Sequence, residues 1–147
     1  MYRVISDHKE FLVISKDPGV SFHKEGNAEG LHEKIKADLE LKVLYSVHRL
    51  DKITSGLLIF AKNSETARKL SHKFRNRMVE KYYLAISDRR PRKKQGTVKG
   101  EMEKSRRGSW KLTRGNEDPA ITSFFSYSLE KGSDYTCSGL IPERPIN

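Results

Sequence analysis

The stretch HRLDKITSGLLIFAK, residues 48–62, joins a polar loop to a run of apolar residues. Because GLLIFAK is apolar without alternation, it predicts a strand that is buried on both faces. Asp51 lies in the loop ahead of that strand, two residues after Arg49. A carboxylate kept ionised there by a cation and backbone N–H donors is suited to act as a nucleophile or a base. Asp is also common in ordinary turns, and spacing alone favours that simpler role.

Strands are predicted on both sides of this stretch. Apolar or alternating runs indicate them at YRVIS near the N-terminus, FLVIS (11–15), YYLAIS (82–87) and AITSFFSYSLE (120–130), with shorter ones at TVKGEM and SWKLTR. Residues 131–147 carry two prolines and no periodicity, so we expect an irregular tail there.

Two helices complete the pattern. Leu31, Ile35 and Leu39 recur at four-residue spacing and predict a short amphipathic helix. Residues 63–81 predict a longer helix that Asn63 or Ser64 caps. Its predicted buried stripe consists of Ala67, Leu70, Phe74 and Met78. The expected fold class is α+β, with a mixed, mainly antiparallel sheet flanked by helices and one domain over residues 1–147.

The charge distribution points to a polyanionic partner. The chain has a net charge of +10, and residues 62–114 alone carry 18 Lys and Arg against 5 Asp and Glu. Charge concentrated in this way is typical of proteins that bind RNA or DNA, although a merely well-charged, soluble surface also fits. A hydrophobic fraction of 35% and a mean hydropathy of -0.72 predict a small core.

Several classes of function lack support in the sequence. None of the five histidines pairs with another His or Cys at ligand spacing, so no metal site is predicted. No glycine-rich phosphate-binding loop and no long apolar segment is present, so we expect neither a nucleotide cofactor nor a membrane partner. The single cysteine, Cys137, excludes an internal disulfide and favours a reducing, cytoplasmic setting.

Residues 48–62 resemble a family signature of the form HRLDxxTSGLLxxAK. Its eleven fixed positions are present as His48, Arg49, Leu50, Asp51, Thr54, Ser55, Gly56, Leu57, Leu58, Ala61 and Lys62. This is the signature of the RluA family of RNA pseudouridine synthases. VEKYYLAIS is similar to the family's KxYxA block and DPAITSFF to its AxTxF strand, so the resemblance spans roughly residues 4 to 130. The KPxG turn of the family reads KDPG here, with Asp17 inserted.

The resemblance implies an enzyme that isomerises uridine to pseudouridine in ribosomal or transfer RNA without a cofactor or a metal. It implies that Asp51 is the catalytic carboxylate, as nucleophile or as base, and that Tyr83 packs against the flipped uracil. Arg49 is suited to fill the gap left by that base or to contact phosphate, but a structural ion pair is an equally open role. A core position for Tyr83 is the alternative to base stacking.

Further residues are expected to support the site or to hold the RNA backbone. The supporting set is His48, Leu50, Thr54, Ser55, Gly56 and Lys81. The backbone-binding set is Arg68, Lys73 and Arg75 on the basic helix, and Arg89, Arg90, Arg92, Lys93 and Lys94 in the basic loop.

Two features of the family are not found in this sequence. No S4-type RNA-binding domain precedes the core, and no basic block like KTGRTHQIR follows the AxTxF strand. We therefore expect an incomplete catalytic fold, with weak or no activity and an exposed sheet edge that favours self-association. The alternatives to an isomerase are a non-catalytic RNA-binding module and a fragment of the fold without specific function.

Overall fold

The computed structural model describes residues 1–23, 29–87, 92–106, 110–113, 119–128 and 136–141. Side chains are described for all of these except residues 128 and 136–141. The chain divides into two compact units, which we call unit 1 (Met1–Asn76) and unit 2 (Arg77–Asn147). Each unit is described by itself.

Unit 1 is built on a sheet with strand order β1-β2-β4-β3, whose described pairings are antiparallel. Within the described ranges its elements are β1 (Tyr2–Asp7), β2 (Phe11–Lys16), α1 (Leu31–Asp38), β3 (Tyr45–Ser46), β4 (Gly56–Ala61) and α2 (Ser64–Arg75). α2 begins as predicted, because the Asn63 side chain accepts a hydrogen bond from the Thr66 N–H at 2.8 Å.

The core of unit 1 lies between the sheet and α1. Leu12 and Ile14 alternate along β2, Leu58 and Phe60 alternate along β4, and all four are completely buried. Their other fully buried or nearly buried partners are Leu31, Ile35, Leu44 and Leu50. Burial at every second position shows that one face of this sheet carries the core.

Unit 2 contains a sheet with strand order β5-β9-β8-β6-β7. The strands, as far as the described residues show them, are β5 (Tyr83–Ser87), β6 (Gln95–Lys104), β7 (Trp110–Thr113), β8 (Ala120–Ser128) and β9 (Thr136–Ile141). Every described pairing among them is antiparallel. Antiparallel sheets with two helices in the described ranges agree with the expected α+β class.

The predicted irregular tail is wrong where the structure describes it. Residues Thr136–Ile141 form β9, which pairs with β5 on one side and β8 on the other. The strand is stabilised by backbone hydrogen bonds to both neighbours, although its local sequence shows no strand pattern.

Two expectations about burial also need correction. Leu57 is 61% exposed, so β4 is buried on one face and not on both. The predicted stripe of α2 is only partly buried at Ala67, Leu70 and Phe74. Met78 is 59% exposed, because the helix ends at Arg75 and Arg77 has a positive φ of 56°.

Candidate active site around Asp51

Asp51 lies in the loop between β3 and β4 of unit 1, which we call the Asp51 loop (residues 47–55). Asp51 and Arg49 are both exposed, whereas Leu50 between them is 8% exposed and packs in the core. The buried leucine anchors the loop while its two charged neighbours remain open to solvent. A large substrate such as a nucleic acid can therefore reach both charges.

His48 fixes the start of the loop through its ring. The Ile59 N–H donates a hydrogen bond to His48 Nε2 at 3.1 Å. The same ring stacks on Phe74 of α2, with ring centroids 4.4 Å apart and planes at 18°. Because Nε2 accepts this bond, the ring is neutral and carries its proton on Nδ1. His48 thus ties the loop to β4 and α2.

The carbonyl group of Lys52, next to Asp51 in the chain, is held from two sides. It accepts hydrogen bonds from the Gly19 N–H at 2.8 Å and from Lys16 Nζ at 3.0 Å. Lys16 Nζ also donates to the carbonyl oxygens of Asp17 at 3.1 Å and Val20 at 2.9 Å. The turn that follows β2 is therefore joined to the Asp51 loop.

Lys16 contributes a positive charge to this part of the molecule. Its side chain has no exposed surface. Burial lowers the pKa of Lys16 from its ordinary value, while the negative charges of Asp17 and Asp51 act in the opposite direction.

The end of the loop is shaped by the residues from Thr54 to Gly56. The Thr54 N–H donates to the Asp51 carbonyl oxygen at 3.1 Å, which closes a tight turn. Ser55 is exposed and Thr54 is half-buried. Gly56 has a φ of +138°, a conformation that side-chain-bearing residues rarely adopt. The backbone conformation at this position, where the loop enters β4, therefore favours glycine.

The structure brings the signature residues 48–56 together in unit 1, whereas Tyr83 and Lys81 lie in unit 2. Tyr83 begins β5 and is 37% exposed, and Lys81 is exposed two residues before it. Tyr83 is therefore not a buried core aromatic within its unit. The packing of Tyr83 against a flipped uracil stays a prediction.

The predicted backbone-binding residues are exposed wherever the structure describes them. Arg68, Lys73 and Arg75 lie on α2, and Arg68 and Arg75 share a face because they are two helical turns apart. The residues 92–94, Arg, Lys and Lys, are exposed ahead of β6. Arg89 and Arg90 lie outside the described residues.

Sequence reasoning missed two residues that shape the loop. Phe74 was predicted only as part of a buried stripe, yet it stacks on His48. Lys16 was treated as part of a turn, yet it continues the inward alternation of Leu12 and Ile14 on β2. A charged residue at an inward position of an alternating strand was the available signal, because such a residue needs partners inside the protein.

In the part of the chain that the structure describes, no three His, Cys, Asp or Glu side chains are grouped as a metal site requires. The same described ranges contain no helix of the length and apolar character that a membrane span needs. The prediction of a reaction without metal or cofactor remains a prediction.

Comparison with known proteins gives consistent results. Residues 10–144 match the RNA pseudouridylate synthase family. The chain is 45% identical over 127 residues to an uncharacterized RNA pseudouridine synthase of Haemophilus influenzae, covering 86% of this chain and 57% of that protein. It is 36% identical over 132 residues to ribosomal large subunit pseudouridine synthase C of Rickettsia bellii, covering 83% and 44%. It is 34% identical over 125 residues to the tRNA pseudouridine(31) synthase of Saccharomyces cerevisiae, covering 84% and 26%.

Two solved structures share the fold. They are human RNA pseudouridylate synthase domain containing 1, with a TM-score of 0.77 and 20% identity, and domain containing 4, with a TM-score of 0.70 and 24% identity. Each match covers 97% of this chain and 59% of the human chain.

These matches confirm the resemblance to RluA-type synthases and the expected fold class. The chain spans about half or less of the length of the curated relatives compared above. The family match over residues 10–144 covers most of this chain. The chain belongs to the RNA pseudouridylate synthase family.

Proposed function

We propose that this protein isomerises uridine to pseudouridine in RNA, with Asp51 as the catalytic carboxylate. The observation that carries the proposal is the state of Asp51. It is exposed, while the residues around it are held by a buried leucine, a stacked histidine and a twice-bonded carbonyl group. A reactive group that is accessible on a fixed loop meets the geometric demand of catalysis on a large substrate.

The reaction breaks the N1–C1′ bond of uridine, turns the uracil and joins C5 to C1′; C5 then loses its proton and N1 gains one, so the product is an isomer of the substrate. Asp51 either attacks the sugar as a nucleophile or removes a proton from it, and both roles require an ionised carboxylate. Tyr83 offers a ring that replaces the stacking lost by the flipped base, which agrees with its partial exposure. Arg49, exposed two residues before Asp51, is suited to contact phosphate or to fill the gap left by the base.

RNA is the proposed partner. The exposed basic residues of α2 and of residues 92–94 offer phosphate contacts that give affinity without sequence choice. Relatives are named for large-subunit ribosomal RNA and for transfer RNA, so we propose one of these two as the substrate. A cytoplasmic location fits such a substrate and the single cysteine.

The test compares the parent chain with Asp51→Asn on ribosomal and transfer RNA transcripts. The protein is used in excess over the RNA, so that even a slow reaction yields a measurable amount of pseudouridine. We expect Asp51→Asn to lower the rate by roughly 100-fold or more, because it removes the reacting carboxylate and preserves the shape of the side chain. RNA affinity at low salt should stay within about twofold, since phosphate contacts dominate it.

Asp38→Asn serves as the matched control, because Asp38 is also a carboxylate of unit 1 but lies on α1 and accepts from Tyr2. It should retain the parental rate. An Asp51→Asn protein that is as active as the parent would remove Asp51 from the reaction. A parent that binds RNA and forms no pseudouridine would make the protein a non-catalytic RNA-binding module.

A further inference from the structure

The sheet of unit 2 carries large apolar side chains that are open to solvent. Four of them, which we call the β5–β8 patch, are Leu84 (84% exposed), Ile86 (74%), Phe125 (37%) and Tyr127 (65%). β9 lies between β5 and β8, and its pairing places Leu84 in one row with Phe125 and Ile86 in the next row with Tyr127. Residues paired directly across strands project to the same side of a sheet. The patch therefore lies on one face.

The β5–β8 patch lies on the opposite face of this sheet from Tyr83. Successive residues of a strand project to opposite faces, and Tyr83 directly precedes Leu84 on β5. Tyr83 is the residue expected to pack against the uracil that reacts. A ligand on the β5–β8 patch is therefore separate from the base that Tyr83 would hold.

A polar row limits the patch on one side. In the row after Leu84 and Phe125, Thr97 Oγ1 and Ser123 Oγ share a hydrogen bond at 3.0 Å. The apolar surface is thus confined to a small area next to polar groups. Exposed apolar areas with a polar rim are typical of binding surfaces.

Another side of the patch is basic. Residues 92–94, Arg, Lys and Lys, are exposed and come directly before β6. Ser126, which lies between Phe125 and Tyr127, holds them against β8. Its N–H donates to the Lys94 carbonyl oxygen at 2.7 Å, and its hydroxyl donates to the same oxygen at 3.1 Å. Three positive charges are therefore kept beside the strand that carries the two rings, where they attract a polyanion.

Rings and positive charges side by side suit single-stranded RNA. Phe125 and Tyr127 are two residues apart on one face, so their Cα atoms lie about 7 Å from each other. Unpaired bases stack on such rings, while Lys and Arg bind the phosphates that join them. A protein partner would use the apolar surface of the patch but has no need of phosphate-binding charges beside the rings.

We propose that the β5–β8 patch is a second RNA-binding site, on which unpaired bases stack while residues 92–94 bind the phosphates of the same strand. The proposal rests on RNA as the partner in the proposed function, and it is independent of the isomerisation. It assigns base contacts to the face of the unit 2 sheet that Tyr83 does not occupy.

The first experiment measures the affinity of the full 147-residue chain for octaadenylate at low salt, by fluorescence anisotropy of the labelled RNA. Octaadenylate contains no uridine, so its binding is measured apart from any reaction. An abasic octamer, which has the same phosphates and no bases, is compared with it. The parent should bind octaadenylate about fivefold more tightly or better, because stacking adds to the phosphate contacts.

Variants of Tyr127 separate stacking from apolar contact. Tyr127→Leu keeps an apolar side chain and removes the ring, so it should weaken octaadenylate binding about fivefold or more. Its affinity for the abasic octamer should stay within about twofold of the parent's. Tyr127→Phe keeps the ring and should bind both octamers as the parent does. Tyr45→Leu is the matched control, because Tyr45 is an exposed tyrosine of β3 in unit 1, and it should also behave as the parent.

NMR adds a direct sign of stacking, since the protons of the Tyr127 ring should shift upfield when octaadenylate binds. Equal affinity of the parent for the two octamers would overturn the proposal, because phosphates alone would then account for binding. Equal octaadenylate affinity in the parent and in Tyr127→Leu would overturn it too. The patch would in either case be better explained as a docking surface for a protein.

The second experiment separates this proposal from the proposed function. With an RNA substrate that the parent modifies, Tyr127→Leu should raise KM about fivefold and leave kcat within about twofold, since the ring binds RNA and takes no part in the reaction. A fall in kcat with an unchanged KM would overturn the proposal. A parent that forms no pseudouridine would contradict the proposed function alone, and the octamer comparison would still decide whether the β5–β8 patch binds bases.

Discussion

Unit 1 and unit 2 bury their apolar residues very differently. Unit 1 contains every described apolar side chain that is buried, with Leu12, Ile14, Leu58 and Phe60 completely enclosed. In unit 2, Gly100 is the one described residue classed as buried, while Leu84 is 84% and Ile86 is 74% exposed. Unit 1 is therefore stabilised by a core of buried apolar side chains, whereas the described side chains of unit 2 form no comparable buried cluster.

This difference in burial bears on how firmly each candidate site residue is held. The Asp51 loop is anchored by contacts with core residues of unit 1, through Leu50 and through Lys16 at the end of β2. Tyr83 stands on β5, which is exposed along most of its length. The loop that carries Asp51 is thus held by side-chain packing and hydrogen bonds, whereas Tyr83 is held by the backbone hydrogen bonds of β5.

The largest expected effect comes from removing the same side chain in each unit. Leu58 and Leu84 both lie on strands, but Leu58 has no exposed surface and Leu84 is 84% exposed. Leu58→Ala should lower the free energy of unfolding by about 2–5 kcal/mol, because it leaves a cavity in the core. Leu84→Ala should change it by less than about 0.5 kcal/mol. Denaturant unfolding followed by circular dichroism measures both.

Leu57→Ala controls for the strand, since Leu57 is next to Leu58 on β4 and is 61% exposed. It should resemble Leu84→Ala. A large loss of stability in Leu84→Ala would break the comparison, because it would show that unit 2 depends on apolar packing at β5.

A smaller effect is expected from two glycines that are needed for different reasons. Gly56 in unit 1 has a φ of +138°, and a Cβ there would meet only Leu50 Cδ1 at 3.6 Å. Gly100 in unit 2 has no such φ, but a Cβ would lie 2.6 Å from the Thr113 carbonyl oxygen. Gly56→Ala should cost about 1–3 kcal/mol of stability through backbone strain. Gly100→Ala should separate β7 from β6 at a similar or lower cost.

The two variants should also differ in where they act. Gly56→Ala should lower the unfolding midpoint of unit 1. Gly100→Ala should speed amide exchange mainly in β7, whose Thr113 carbonyl oxygen the added Cβ would approach. Ser55→Ala, an exposed neighbour of Gly56, should have the parental midpoint. If Gly100→Ala lowered the unfolding midpoint of unit 1 as much as Gly56→Ala does, the effect of Gly100 would not be local to β7.

Much of unit 1 was predictable because its local signals agree with its packing. The alternation in FLVIS and the cap at Asn63 correspond to β2 and α2 as observed. β9 was not predictable, because its residues show no periodicity and its order comes from pairing with β5 and β8. Sequence reasoning located the signature loop, but the burial of Lys16 appears only once β2 is placed against that loop.

The smallest expected effect compares one hydrogen bond in two settings. Tyr2 in unit 1 donates to Asp38 Oδ2 at 2.9 Å, and Tyr82 in unit 2 donates to Glu80 Oε2 at 2.8 Å. Tyr2 is partly buried, whereas Tyr82 is 64% exposed. Burial, followed by the hydrogen bond and the charge of Asp38, raises the pKa of Tyr2 from 10.0 to about 12.

The sign of the pH dependence follows from that shift. Below pH 10 the Tyr2 hydroxyl is protonated in both states, so its contribution to stability is fully present. Between pH 10 and about 12 the unfolded chain loses this proton first, and the free energy of unfolding falls. Tyr2→Phe should therefore show a shallower alkaline loss of stability than the parent. If stability fell with pH equally steeply in the parent and in Tyr2→Phe, folding would not raise the pKa of the Tyr2 hydroxyl. The contrast in burial between Tyr2 and Tyr82 would then have no effect on stability.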